Sequence, residues 1–207
     1  MSEARINAPP AAVPFRRVRW LHLRGMFLFR RAAQSDSLAT LPGLETERLR
    51  IAALSARDAE ALRRLTDDPA ITGAVDFLPE PFTLADARGL IASGRRGSDR
   101  FNGVWERESR ALVAVVGTHL RGESAIEIGY WVGGSARGRG IATEAVAGLL
   151  VLLARRFPYR SIVAECRPGN VASWGLLRKL GFEDTGEDGH RPGRRVLMKT
   201  DSARTSP

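Results

Sequence analysis

Residues 126–142, IEIGYWVGGSARGRGIA, limit the fold of this 207-residue chain more than any other stretch. Ile126, Ile128, Tyr130 and Val132 alternate with Glu127, Gly129 and Trp131, the period of a strand with one face on a core and the other off it. The next run, TEAVAGLLVLLARRF, places Ile141, Ala145, Leu149 and Leu152 at helical spacing, and Val146, Leu150, Val151 and Leu153 predict burial almost all round. Between strand and helix lies RGRGIA, where Gly138 and Gly140 let backbone N–H groups turn toward a common point. A helix N-terminus leaves N–H groups unpaired and carries partial positive charge, so a glycine-rich entry to a buried helix suits phosphate oxygens. Arg137 and Arg139 can add charge-assisted hydrogen bonds to the same anion. The spacing is neither GxGxxG after a first strand nor GxxxxGK[ST], which excludes the dinucleotide fold and the P-loop.

The length suits one domain with a sizeable core and some tail. A single cysteine, Cys166, excludes an internal disulfide framework and a cysteine metal cluster, and fits a reducing cytoplasm. His22, His119 and His190 have no ligand spacing, so no metal is expected. The net charge of +9 is unevenly spread. In residues 1–43, Arg5, Arg16, Arg17, Arg19, Arg24, Arg30 and Arg31 stand against only Glu3 and Asp36. Only Lys179 and Lys199 are lysines, a bias that a GC-rich coding sequence explains without nucleic-acid binding.

Residues 1–43 also hold Pro9, Pro10, Pro14 and Pro42 and keep no apolar period. They read as a disordered basic leader, or as an extension before a start at Met26. VRWLHLRGMFLFRR is too short and too interrupted by arginine to span a bilayer, although a membrane-surface helix would accept its mixture of basic and aromatic residues. Regular text begins at Leu44. ETERLRIAAL predicts a first strand with Leu49 and Ile51 inward, and Ser55 to Asp58 an N-cap leading to a helix through Leu62 and Leu65. Asp67-Asp68-Pro69 ends that helix, Pro79 and Pro81 fix a loop, and Thr83 opens a helix to about Ser93. FNGVWERE and ALVAVVGTHLR are paired strands, with a kink or bulge expected at Gly117. After the long helix, SIVAEC is a strand, Asn170 caps a helix over residues 171–180, and Gly181 closes it. Strands near 182–185 and 194–199 and a polar tail, 201–207, complete the chain.

The loop RGRGIA, the segment NVASWGLLRKLGF and the element order together resemble the GNAT superfamily of N-acetyltransferases. LETERLRI, DDPAITGAVDFLPEPF, EIGYWV and GRGIATEA are similar to its RimJ/RimL branch, which acetylates ribosomal-protein N-termini. The resemblance covers residues 44–200. It implies an α+β fold: a central mixed, mostly antiparallel seven-stranded sheet, splayed at a bulge, with four main helices on both faces.

The resemblance further implies that acetyl-CoA lies between the 126–132 strand and SIVAEC. Its pantetheine would pair with backbone at Tyr130, Trp131 and Val132, and its diphosphate would sit on Arg137, Gly138, Arg139, Gly140, Ile141 and Ala142. Asn170 and Ser173 match the family's Asn-x-x-Ser. Glu127 shares a face with Gly129 and is expected to reach the cleft as the base, acting through water or with a shifted pKa, or else to orient the amine or pair with an arginine. An amide near Val132 would face the oxyanion. The family's helix-borne tyrosine is missing, which leaves Ser173 as the acid or thiolate-stabilising group. Asp76 and Glu80, with Asp67 and Asp68, lie where the family walls its acceptor site, although Asp67 and Asp68 serve equally well as caps. His119 reads as a strand surface residue and Cys166 as a small buried hydrophobe.

The function so implied is acetyl transfer from acetyl-CoA to a primary amine, with a protein N-terminus ahead of an aminoglycoside, polyamine or amino-acid derivative. A non-catalytic acyl-CoA-binding module is the alternative class, and RNA or ribosome contact through the basic leader a third. The chain is expected to be cytoplasmic, and a monomer or homodimer.

Overall fold

The computed structural model describes residues 36–94 and 97–200. The expectations for the leader over 1–35 and for the tail over 201–207 fall outside these residues. Residues 36–43, grouped above with the leader, belong to the packed domain. Leu38 and Leu41 are buried in the core, Leu38 N–H donates to Gly97 C=O at 2.8 Å, and Arg160 pairs with Asp36.

The chain runs β1 (Leu44–Glu45), β2 (Leu49–Ala53), α1 (Ala59–Thr66), α2 (Pro69–Thr72), α3 (Leu84–Ser93), β3 (Asp99–Glu106), β4 (Leu112–Arg121) and β5 (Ala125–Val132). Then follow α4 (Ile141–Arg156), β6 (Ser161–Cys166), α5 (Val171–Lys179), β7 (Phe182–Asp188) and β8 (Arg195–Lys199). The strands form one sheet in the order β1-β2-β3-β4-β5-β6-β8-β7, antiparallel except for β5 against β6. The sheet thus has eight strands rather than seven. The predicted first strand is broken because Thr46 and Arg48 both bind the Glu144 carboxylate on α4, which folds residues 46–48 into a turn.

Helix starts follow the sequence closely. Ser55 and Asp58 form a reciprocal capping pair over a single 3-10 turn that leads into α1, and Thr83 and Asp86 do the same for α3. On one face of the sheet α4 and α5 cover a core of Leu49, Ile51, Ile126, Ile128, Leu149, Leu153, Leu177 and Leu197. On the other, α1, α2 and α3 cover Phe101, Trp105, Val115 and Trp131. Both faces of β5 are therefore buried, in contrast to the one-sided pattern read from its alternation. Helix α4 is more amphipathic than expected: the buried line runs 141, 145, 149, 153, and Val151 is 54% exposed.

The sheet's opening positions the site. β5 pairs with β6 only from Ala125 to Ile128, after which β6 pairs solely with β8 and Gly129–Val132 lose that neighbour. The expected splay is present, but the expected bulge is not, because the β4–β5 register runs unbroken from Arg121–Ala125 to Ala114–Val132. Gly117 pairs regularly with Phe101 and Gly129, and the irregularity in this region lies at Val104/Trp105 instead.

Candidate active site

The splay opens a cleft of about 610 Å³ lined by the free half of β5, the loop into α4, the start of α5 and the α2–α3 connection. Its backbone polarity follows from the ladder. Gly133 N–H donates to Val113 C=O at 3.0 Å, so antiparallel alternation turns the N–H and C=O groups of Glu127, Gly129 and Trp131 toward β4. Those of Tyr130 and Val132 consequently face the gap, where an extended ligand can use them. Val132 C=O accepts from Arg137 Nε at 3.2 Å, which ties the end of β5 to the loop.

The loop takes the shape its glycines permit. Gly138 (φ 74°) and Gly140 (φ 76°) are both left-handed, and Gly140 is the N-cap of α4 without any side chain bonding the first-turn N–H groups. A Cβ at Gly138 or at Gly129 would meet nothing within 4 Å, so both positions border open space. The first-turn acid, Glu144, is turned away onto Arg48 and Thr46. Gly138, Gly140, Ile141 and Ala142 line the cleft with Arg137, whose Nη2 is 2.6 Å from Asp68 Oδ2. Arg139 points elsewhere and pairs with Glu106 at 2.6 Å.

Opposite this loop, Asn170 caps α5 by accepting from Ser173 N–H at 3.2 Å. Ser173 Oγ lies 2.8 Å from Tyr130 Oη, a hydrogen bond from β5 to α5. A hydroxyl pair thus comes from two elements, and the tyrosine absent from the helix is supplied by the strand. Alternating hydrophobicity had assigned Tyr130 to the core face and concealed this. Burial pushes the Tyr130 phenol up to about 12, against the lowering effect of Ser173 and with a further push from Cys166. Ultraviolet titration should therefore show a tyrosine ionising near pH 12, a step that Tyr130→Phe removes. With the folded pKa raised, the linked stability is present below the unfolded value of about 10 and is lost as pH rises through 12. A step that survives the substitution would show that Tyr130 is not the buried phenol that ionises there.

At the far end Glu127 lines the cleft but is only 3% exposed. Its Oε2 accepts from Arg121 Nε at 2.7 Å and its Oε1 from Arg191. Burial pushes its carboxyl up, but Arg121, Arg191 and His119 outweigh this and hold it below the ordinary value. Arg191 also binds Glu165, which accepts from His190, and single ligand atoms of Glu127, Glu165 and His190 lie within 4.8 Å of one another. Arg191 bridges the two carboxylates of that group, and Arg121 supplies a second positive charge at Glu127. Asp76 is held by Arg167 and Arg194, and Glu80 accepts from Thr72 at 3.1 Å. Neither lines the cleft. Asp67 bonds Phe82 N–H and Asp68 caps α2, which are the turn roles open to them.

His119, read as a surface residue, has a side chain only 12% exposed and lines the cleft across from Glu127. Trp131 donates to Thr66 at 3.1 Å, and its ring joins Phe77 and Phe101, with centroids 6.1 to 6.4 Å apart. Cys166 is buried and lines the cleft near Ser173, and burial raises its thiol's pKa.

Residues 48–183 match the Acetyltransferase (GNAT) domain. The chain belongs to the GNAT acetyltransferase family. It is 25% identical over 145 residues, 69% of this chain and 84% of the relative, to the uncharacterized N-acetyltransferase YnaD of Bacillus subtilis. Among solved structures, a GNAT-family acetyltransferase from Bacillus anthracis matches with a TM-score of 0.66 and 24% identity, over 75% of this chain and 96% of that one. The ribosomal L7/L12 alpha-N-protein acetyltransferase RimL in complex with coenzyme A matches at 0.65 and 21%, over 74% and 93%. This GNAT chain is accordingly an N-acetyltransferase, of a family whose acyl donor is acetyl-CoA. Among the described residues no helix is long and apolar enough to cross a membrane.

Proposed function

We propose that this protein transfers the acetyl group of acetyl-CoA to a primary amine, and that the amine is a protein N-terminus. The observation that carries the reading is the unpaired half of β5, whose Tyr130 and Val132 backbone groups face a gap flanked by the uncapped start of α4 and by the Tyr130–Ser173 pair. The likeness to RimL, named for acetylating a ribosomal protein's α-amine, supports the acceptor class and a RimJ/RimL-like branch. The cytoplasmic reading goes with that class.

Acetyl-CoA bound there supplies the acetyl thioester. In this assignment the backbone of Tyr130 and Val132 holds the pantetheine in register, whereas Trp131, expected from the resemblance to share that role, has its backbone groups turned to β4 and offers none. The amides at Gly138, Gly140, Ile141 and Ala142, with Arg137, receive the diphosphate, and Arg139 reaches it only by leaving Glu106. Asn170 keeps Ser173 at the end of the gap. In the same assignment the Val132 amide donates to the oxyanion. Ser173, backed by a phenol that stays protonated at neutral pH, delivers a proton to the departing sulfur. Glu127, with both oxygens held by arginines, fixes the acceptor end of the cleft and orients the amine. Asp76 and Glu80 brace the α2–α3 segment that walls it.

Calorimetry with acetyl-CoA, followed by thiol release with N-terminal peptides, aminoglycosides and polyamines, tests the assignment. Micromolar binding with turnover on peptides is the expected result. Turnover confined to small amines would replace the acceptor class, binding without turnover would favour an acyl-CoA-binding module, and absence of binding would remove the donor site. Ser173→Ala should lower kcat roughly tenfold or more and leave acetyl-CoA affinity within about threefold, because it removes one proton donor and no backbone contact. An unchanged kcat would take Ser173 out of the chemistry.

A further inference from the structure

His119 is the cleft's least explained titratable group. It lies on β4 between Asp99 of β3 and Glu127 of β5, in register with both. Its Nδ1 is 2.7 Å from Asp99 Oδ1, and the Asp99 carboxyl is held below its ordinary value by that bond first, against burial. A carboxylate only accepts, so Nδ1 carries the hydrogen, and in the neutral ring Nε2 is the nitrogen that holds the lone pair. Among the described residues Nε2 has no hydrogen-bond partner. It leans over Gly117, where a Cβ would come within 2.9 Å of it. Gly117 pairs with Gly129, and the two bare positions form a floor between the His119–Glu127 pair and the ring of Trp131. Phe101, edge-on to the imidazole at 5.3 Å, and Phe77 wall the same space. The charged groups around the imidazole are Asp99, Arg121, Glu127 and, through Glu127, Arg191. Glu127 has each oxygen taken by an arginine, whereas His119 Nε2 is open to the chamber.

We infer that His119, oriented by Asp99, is the catalytic base, and that the acceptor amine enters over the Gly117–Gly129 floor to meet Nε2. This rests on the acetyltransferase reading above. The ammonium gives one proton to Nε2, and its nitrogen lone pair then attacks the thioester carbonyl carbon. As the C–N bond forms and the C–S bond breaks, the nitrogen loses its second proton to solvent. The thiolate takes a proton from the Ser173–Tyr130 pair, which is refilled from water. The products are the N-acetyl amine and free coenzyme A thiol.

The test uses full-length protein, acetyl-CoA, and a panel of peptides beginning Ser, Ala, Thr or Met together with tyramine and spermidine. His119→Gln should lower kcat on the best acceptor by about 10²-fold or more, with acetyl-CoA affinity by calorimetry unchanged. Asp99→Asn should lower kcat less and shift the acid limb of its pH profile, which a merely structural role would not move. Full activity in His119→Gln would overturn the inference while leaving the acetyltransferase reading intact. Failure of the wild type to bind acetyl-CoA would instead remove that reading. ¹⁵N-histidine NMR on the wild type decides independently of the acceptor: hydrogen on Nδ1 of His119 supports the inference, and hydrogen on Nε2 of the neutral ring overturns it.

Discussion

Leucine at position 129 should abolish acetyl transfer without unfolding the protein. Gly129 sits in mid-strand on β5, where a residue without a side chain weakens the strand. Its backbone is ordinary for a strand and a Cβ there meets nothing within 4 Å, so the glycine is not needed for packing. What it leaves is space on the floor beside Gly117, between Glu127 and Trp131. A leucine side chain would occupy that space, and a displacement of reacting groups by about 1 Å already costs roughly 10²-fold in rate. Gly129→Leu is therefore expected to lower kcat/KM for the amine by more than about 10²-fold, and Gly129→Ala by less. Thermal stability should stay level or rise, since the strand gains a side chain and loses up to about 1 kcal/mol of glycine's backbone entropy cost. Steady-state kinetics beside a melting curve checks both. A leucine variant that still acetylates amines at the wild-type rate would mean that the acceptor does not cross this floor.

Much of this arrangement could be read from local sequence because the determinants are local. Ser55/Asp58 and Thr83/Asp86 cap within three residues, and Asn170 and Gly181 mark both ends of α5. Gly138 and Gly140 need a conformation that side chains disfavour, so their presence between a strand and a helix exposes the loop. The break of the first strand was not legible, because it depends on Glu144, which lies 96 residues beyond Arg48 and captures the turn. Nor was the second buried face of β5: Gly129 and Glu127 interrupt the apolar pattern for reasons that belong to the cleft.

The site divides along the same line. Backbone-borne functions, the gap at Tyr130 and Val132 and the start of α4, follow from strand and helix periods. Side-chain partnerships across strands do not. The Asp99–His119 pair depends on β3–β4 register, and Tyr130–Ser173 spans 43 residues. Asp76 and Glu80 lie on the segment that the resemblance assigns to the acceptor wall and have the charge for a cationic amine, but Arg167, Arg194 and Thr72 satisfy them first. In a chain with 30 arginines, most carboxylates near a cleft will find a guanidinium.

Glu127→Gln is expected to be the most destabilising single-atom change in the cleft. The carboxylate is 3% exposed and bridges Arg121 on β4 to Arg191 in the β7–β8 connection. Removing one partner of a buried pair leaves uncompensated charge, typically at about 3–5 kcal/mol. Arg121 and Arg191 are 29% and 23% exposed and Arg191 keeps Glu165, so water and that second carboxylate recover part of the loss. A cost of roughly 2–3 kcal/mol follows, or about 5–10 °C in Tm for a domain of this size. The pH dependence has a defined sign. The folded pKa of Glu127 lies below its ordinary 4.5, so its contribution is complete above that value and is lost as pH falls through the folded pKa. The gap in Tm between wild type and variant should therefore be widest near neutrality and close on acidification below pH 4.5, with carboxylates common to both proteins cancelling. A gap that does not change with pH would mean that Glu127 contributes packing and not charge. Assayed where it is folded, the variant should lose less turnover than His119→Gln, since the glutamate orients the amine while the histidine takes its proton; the reverse order would return the base to Glu127.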